Sequence, residues 1–124
     1  MTIIEAINKI DALKNNTYTQ DDKVEWLDRL DRIIKLQIID THEGAEGVPF
    51  TGYNADTDLH TVLLVPAPYD EVYLRWLEAQ IAYNNDEIDR YNTAITMFNT
   101  AYEAYEKYYN RTHMPIARGK RFIF

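Results

Sequence analysis

The chain has 124 residues, of which 46% are hydrophobic and 27% are charged, and its formal net charge is −7. This length suits one domain, and the composition excludes wholesale disorder, which requires low hydrophobicity together with high net charge. The absence of cysteine excludes a disulfide framework, a cysteine-ligated zinc site and a thiol nucleophile. We also expect neither a membrane span nor a secretory signal, because no long uncharged apolar run and no basic leader occur.

The charge is unevenly distributed along the chain. Residues 1–110 hold all 20 acidic groups and nine of the 13 basic ones. The last residues hold no acidic group and the remaining basic ones, Arg111, Arg118, Lys120 and Arg121. An acidic body repels nucleic-acid phosphates, which argues against nucleic-acid binding as the main role. A basic, apolar-ended tail on such a body predicts docking to another acidic molecule or another copy, and the alternative is a solvated, frayed terminus.

Two amphipathic helices are predicted in the first third of the chain. Over residues 3–14 apolar side chains recur at helical spacing, and Thr2 and Glu5 have the spacing of a capping box. A second helix is predicted to start after Thr19 and to end near Ile39, with apolar residues on more than one side. Both helices would contribute to a shared core.

A helix–turn–helix that reads DNA is a poor interpretation of these two helices. The N-terminal residues of a recognition helix face the groove. Here they are Asp21, Asp22 and Glu25, whose carboxylates would be repelled by phosphates.

Residues 41–69 predict a long connection, because they contain three of the four glycines and three of the four prolines. Within it, residues 48–53 and 61–65 are apolar enough for short extended segments that could pair with each other. Connections of this length are usually functional or disordered, and the apolar content argues against disorder. We therefore expect either a structured arm that contacts another molecule or a lid over the protein's own core.

Residues 70–111 form the longest periodic stretch. From Leu74 to Tyr109 an unbroken 4-3 spacing of almost entirely apolar and aromatic residues predicts helices packed at shallow angles. Either a turn at 84–86 joins two antiparallel helices, or one helix of about 60 Å runs through. Because the spacing keeps its phase, one long helix is favoured. Its tyrosine-rich end predicts an approach to water or to another chain.

The residue types of common active sites are missing or scattered. The chain has no serine or cysteine nucleophile, and its glycines form no phosphate-binding pattern. No Glu-x-x-His occurs, and His42, His60 and His113 are far apart in sequence. His42 and His60 could meet around a metal, although simple hydrogen bonding is the more common role of loop histidines. We expect no enzymatic activity, no cofactor, and no catalytic or metal-binding residue.

Three stretches resemble a group of small proteins encoded in the structural modules of siphophages and prophages, close to the capsid and portal genes. They are residues 40–44 (DTHEG), residues 64–71 (LVPAPYDE) followed by Trp76-Leu77-Glu78, and residues 108–115 (YYNRTHMP). Together with similar N-terminal helices, the likeness covers most of the chain. The order of short helices, a long helix and a tail is similar to that of phage head–tail connector adaptors.

The predicted fold is mainly α: a small helical bundle with one long C-terminal helix or a helical hairpin, an extended loop arm and a C-terminal tail. Residues 1–115 would be the helical adaptor domain, with the loop arm at 41–69, and residues 116–124 a docking tail.

The resemblance implies a structural protein of the virion neck, assembled in the host cytoplasm. It would form a ring with copies of itself, twelve being the expected number, beneath the portal protein. This ring would extend the channel through which DNA passes without specific binding. A stopper or tail-side neck protein would be a further partner, and no membrane would be involved.

The resemblance also assigns candidate contact residues. The tail residues that would contact the portal are Arg118, Lys120, Arg121, Phe122, Ile123 and Phe124. Phe50 and Tyr53 of the loop would contact an adjacent subunit. The acidic residues that would line the channel or face a neighbouring copy are Asp21, Asp22, Glu25, Asp28 and Asp31.

Two alternatives remain open at this level. The chain could be another neck protein, such as a stopper or a tail-completion protein. It could also be an acidic helical regulator outside the virion that mimics DNA, in which case it would be a monomer or dimer without affinity for the portal.

Overall fold

The computed structural model describes residues 1–116. It contains four helices, α1 (Ile3–Leu13), α2 (Gln20–Gln37), α3 (Glu71–Asn84) and α4 (Ile88–Thr112), with two short 3-10 turns after α2, Ile39–Thr41 and Ala45–Gly47. Within the described residues β-structure is limited to two isolated bridges. The predicted mainly α fold is therefore confirmed. None of the helices in this part of the chain is long and apolar enough to cross a membrane.

The first two helices begin where the sequence predicts. Thr2 and Glu5 form a capping box at α1, in which each side chain accepts a hydrogen bond from the other residue's backbone N–H. Thr19 and Asp22 form the same arrangement at α2. These contacts satisfy backbone donors that have no partner inside the helix, which defines both helix starts.

The favoured prediction of one continuous helix over residues 70–111 is wrong, and the alternative with a turn is confirmed. Asp86 has a left-handed backbone with φ of 59°. The N–H of Glu87 donates to Ala82 O at 2.9 Å, and the N–H of Asp86 donates to Tyr83 O at 3.2 Å, which is the Schellman pattern that ends a helix. The 4-3 spacing continues through the turn because each of the two antiparallel helices presents its apolar face to the other.

The core lies between α1, α2 and α3, and α4 covers α3 along the hairpin. Its fully buried members include Ile3, Ile10, Leu27, Leu30, Ile34, Val72 and Leu77. Trp76 joins the layers: its Nε1 donates to Trp26 O at 2.8 Å, and its ring lies 5.1 Å from that of Phe98 on α4.

The connection over residues 41–69 lies on the protein's own core, which supports the lid and not the arm. Leu63 is buried in it, and its backbone N–H donates to Met1 O at 2.9 Å. The sequence allows the segments 48–53 and 61–65 to pair with each other. They do not, because 61–65 pairs with the first residues of the chain instead.

The outer face of α4 carries threonines whose hydroxyls bond back to the helix. In Thr93, Thr96 and Thr100 the Oγ1 atom lies 2.8 to 3.2 Å from the carbonyl oxygen four residues earlier. This bonding uses the hydroxyl hydrogen and leaves the oxygen able to accept a hydrogen bond from water. The middle of α4, residues 91–102, contains no charged side chain.

Candidate partner-binding surfaces

The C-terminal end of α4 is fixed to the turn that follows α2. His42 is buried, with Nδ1 2.6 Å from Ile38 O and Nε2 2.7 Å from Asn110 Oδ1. The ring of Tyr109 meets the ring of His42 edge to face at 4.9 Å. These contacts hold the last turns of α4 against residues 38–42.

The segment after α4 continues this attachment by running antiparallel to residues 41–43. The N–H of Glu43 donates to Met114 O at 2.8 Å, and the N–H of Ile116 donates to Thr41 O at 3.0 Å. Backbone bonds on both sides of Pro115 fix the position and the direction of the chain there. The tail therefore leaves the folded part of the chain at a defined point.

The surface around this point combines basic, apolar and acidic side chains, because the exposed Glu43 bonds through its backbone N–H to Met114 O. Lys107 and Arg111 are exposed, and within residues 1–116 neither takes part in an ion pair. Met114 and Ile116 are exposed apolar side chains. We call these four residues the C-terminal patch. The predicted portal-contacting residues beyond it lie outside the described part of the chain: Arg118, Lys120, Arg121, Phe122, Ile123 and Phe124.

The acidic residues at the start of α2 are only partly available to a channel or a neighbour. Asp21 and Glu25 are exposed, although Glu25 pairs with Arg29 at 2.8 Å. Asp22 is half-buried and serves the capping box. Because local bonds already use two of these three carboxylates, the exposed negative charge here is smaller than the sequence implies.

Phe50 and Tyr53 pack on α2 of their own protomer. Their rings meet edge to face at 5.1 Å, and the Arg32 guanidinium lies 5.6 Å from the centre of the Phe50 ring. Asp28 pairs with Arg32 at 2.9 Å and accepts a hydrogen bond from Tyr53 N at 2.8 Å. Phe50 keeps part of its surface exposed. Tyr53 does not fit the predicted contact with an adjacent subunit, because its side chain is buried.

Asp31 is the centre of a buried hydrogen-bond network. It accepts hydrogen bonds from Tyr53 Oη at 2.5 Å, Tyr73 Oη at 2.6 Å and Leu64 N at 3.1 Å. Tyr73 Oη in turn accepts from Val65 N at 2.7 Å. Burial raises the pKa of the Asp31 carboxyl, and the hydrogen bonds oppose that change. Burial and the neighbouring Asp31 also raise the pKa of Tyr53 and of Tyr73.

This network connects the lid to α2 and α3 and is largely shielded from solvent. The side chain of Asp31 is 0% exposed, so Asp31 does not fit the predicted position in a channel wall or at a neighbouring subunit. A signal for its burial exists in the sequence. Asp31 lies four residues after Leu27 and three before Ile34, which places it on the apolar face of α2.

The α3–α4 turn forms a second exposed surface, which the sequence analysis did not identify. The side chains of Tyr83 and Ile88 are 64% and 71% exposed. With Tyr91, whose ring centre is 5.6 Å from that of Tyr83, they line a cleft of about 400 Å³. Acidic side chains surround this cleft. We call the following residues the turn patch: Tyr83, Asp86, Glu87, Ile88, Asp89 and Tyr91.

The histidines do not form a metal site in the described part of the chain. Residues 1–116 contain no group of three or more potential ligand side chains arranged around a common point. Both ring nitrogens of His42 are within hydrogen-bond distance of protein oxygens, and His60 is exposed. The buried His42 therefore has a structural role, in holding the end of α4.

Comparisons with protein-family models, with curated proteins and with solved structures found no match to this chain.

Proposed function

We propose that this chain is a structural subunit of the neck of a tailed phage, a head–tail connector adaptor. In this proposal copies of it form a ring beneath the portal protein and extend the DNA channel, and a stopper or tail-side protein binds the opposite side. The protein performs no catalysis and needs no cofactor. It resides in the virion after assembly in the host cell.

The observation that carries this proposal is the fixed origin of the C-terminal tail. The pairing of residues 114–116 with 41–43 defines where the tail leaves the body. The tail then continues with three basic residues followed by Phe122-Ile123-Phe124. A segment that combines positive charge with large apolar side chains suits an acidic surface with apolar pockets. The portal is the partner that the resemblance assigns to it.

The charge of the body supports the channel role. Residues 1–110 carry all the acidic groups of the chain, and Asp21 and Glu25 are exposed at the start of α2. A negative wall repels the DNA backbone, so DNA would move past it without being held. The ion pair between Glu25 and Arg29 weakens this repulsion and does not reverse it, because Asp21 lies beside it.

The test is binding to the portal protein of the same phage. We expect the full chain to co-elute with the assembled portal and to add a ring of density below it in cryo-electron microscopy. A variant that lacks residues 117–124 should keep the helical circular dichroism and the melting temperature of the full chain, because it keeps all described contacts. It should lose binding to the portal. Lys9→Gln, which removes an exposed basic group from α1, is the control that should still bind.

Three results would contradict the proposal. Undiminished portal binding by the truncated chain would show that the tail is not the docking element. Absence of the chain from purified virions would favour the regulator. Density one layer further from the capsid, without contact to the portal, would favour a stopper or tail-completion protein.

A further inference from the structure

The C-terminal patch and the turn patch lie at opposite ends of α4. This helix has 25 residues, so its ends are about 36 Å apart at 1.5 Å per residue. The turn patch adjoins Ile88 at one end, and the C-terminal patch begins at Lys107 and continues past the other end. The two surfaces of one protomer therefore cannot contact each other.

The chemistry of the two patches is complementary. The cleft of the turn patch is lined by Asp86 and Glu87, of which Glu87 pairs with Arg90 at 3.2 Å, and the exposed Asp89 follows Ile88 in the chain. The C-terminal patch presents Lys107 and Arg111 beside two exposed apolar side chains. Lys107 and Arg111 complement the acidic residues of the turn patch, and Glu43 beside Met114 and Arg90 beside Glu87 reduce the charge of each patch without removing it. Exposed apolar surface of this kind marks interaction sites.

We propose that the C-terminal patch of one copy docks on the turn patch of a second copy. Met114 and Ile116 enter the cleft, and Lys107 and Arg111 meet its acidic rim. Each copy that makes one such contact keeps its other patch free, so a pair of copies still offers one patch of each kind and further copies can add. Such a head-to-tail contact closes into a ring when its rotation permits, and otherwise gives an open helical assembly.

A second copy is the occupant because this one chain carries both of the complementary patches. Two molecules with a net charge of −7 repel each other over most of their surfaces. A contact between Lys107 and Arg111 of one copy and the acidic turn of the next opposes that repulsion locally and fixes the relative orientation. This inference rests on the proposed function only where it expects a ring. The contact does not use the tail, which stays available for the portal.

Disulfide trapping tests this contact without a background, because the natural chain has no cysteine. Ile88→Cys is introduced in one full-length copy and Met114→Cys in another that carries a size tag. A disulfide requires Cα atoms within about 7 Å, so docking as proposed holds the two cysteines together and speeds the reaction beyond that of random encounters. Val62→Cys, 66% exposed and on the lid, is the matched control for Ile88→Cys.

We expect the mixed disulfide between Ile88→Cys and Met114→Cys to form at least about tenfold faster than that between Val62→Cys and Met114→Cys, because docking raises the effective concentration. Adding Lys107→Glu and Arg111→Glu to the Met114→Cys copy should remove this advantage. Salt at about 1 M should also reduce it by screening the charges.

Equal rates for the two pairs would overturn the inference, as would a rate unaffected by the charge reversals. If the wild-type chain forms rings although the rates are equal, the proposed function survives and another contact makes the ring. If the disulfide forms at the expected rate but the chain does not bind the portal, the contact survives and the proposed function fails.

Discussion

Asp31 places a carboxylate at a position of α2 that apolar side chains otherwise occupy. Its oxygens accept hydrogen bonds from two tyrosine hydroxyls and one backbone N–H, which joins α2, the lid and α3 at one point. A buried polar group that loses its partner costs about 1–3 kcal/mol, so the network stabilises the fold only as long as it is complete. The tyrosines that bond Asp31 are 22 and 42 residues away in the chain, so local spacing could indicate its burial but not its partners.

Tyr73→Phe tests this network. The substitution removes a hydroxyl that donates to Asp31 and accepts from Val65 N, so two buried groups lose a partner. We expect the free energy of unfolding to fall by about 1–3 kcal/mol in urea denaturation. Tyr83→Phe removes a hydroxyl from an exposed side chain and should change it by less than about 0.5 kcal/mol. Equal effects of the two substitutions would contradict this role of Tyr73.

The raised pKa of Asp31 predicts a pH dependence of stability. Burial makes the folded protein hold this proton more tightly than the unfolded chain, whose aspartates titrate near 3.9. The resulting stabilisation is fully present below that value and is lost as the pH rises through the folded pKa. Asp31→Asn cannot titrate, so the stability of the wild type relative to this variant should decrease as the pH rises above about 4, the range in which unfolded aspartates lose their proton. Urea unfolding at several pH values measures it, and a constant difference would contradict the direction of the shift.

The elements whose limits depend on local contacts were predictable from the sequence. Thr2 and Thr19 define helix starts through residues three positions later, which is visible in the spacing alone. The turn at 84–86 was visible as one of two interpretations. Periodicity favoured the wrong one, because facing helices of a hairpin show the same 4-3 pattern as one continuous helix. The lid was likewise one of two possibilities, and its pairing with Met1 depends on contacts distant in sequence.

The left-handed backbone of Asp86 makes the turn sensitive to side-chain shape. A β-branched residue is strained at φ of 59°, whereas glycine adopts this conformation freely. We expect Asp86→Val to lower the free energy of unfolding by about 1–3 kcal/mol, and Asp86→Gly to leave it unchanged or raise it by up to about 1 kcal/mol. Thermal denaturation measures both. If valine is tolerated as well as glycine, the left-handed turn is not what ends α3.

The attachment of the chain end depends on the contact between His42 and Asn110. Asn110→Ala removes the partner of His42 Nε2 at the last turns of α4. We expect faster hydrogen exchange at the amides of Glu43 and Ile116, which bond across this junction, and unchanged exchange in the middle of α4. Asn99→Ala, at an exposed position of the same helix, should leave all of these rates unchanged. Slow exchange at both amides in Asn110→Ala would contradict this.

For the whole molecule, composition and periodicity were sufficient to predict a mainly α fold with a long connection. The candidate surfaces were harder to predict, because exposure depends on packing between distant segments. Tyr53 and Asp31, assigned to contacts with other subunits, are buried together. The exposed turn patch lies within the stretch that periodicity assigned to a continuous helix, so nothing in that interpretation marked it as a surface.

Because α1, α2, α3 and the lid share one core, we expect residues 1–116 to unfold in a single transition. Trp26 and Trp76 are joined by a hydrogen bond between α2 and α3, so tryptophan fluorescence reports on the core. Its midpoint in urea should coincide with that of far-ultraviolet circular dichroism, which reports on all helices. Separate midpoints would show that α4 and the end of the chain unfold independently.

The threonines on the outer face of α4 make that face less polar than their hydropathy values indicate. Their hydroxyl hydrogens are donated to carbonyl groups of the helix, so only the oxygen lone pairs remain to bind water. Covering this face would strip no charge, because residues 91–102 carry none, but the exposed amides of Asn92 and Asn99 would need new hydrogen-bond partners. The desolvation cost of this side of α4 therefore comes from amides and not from charges.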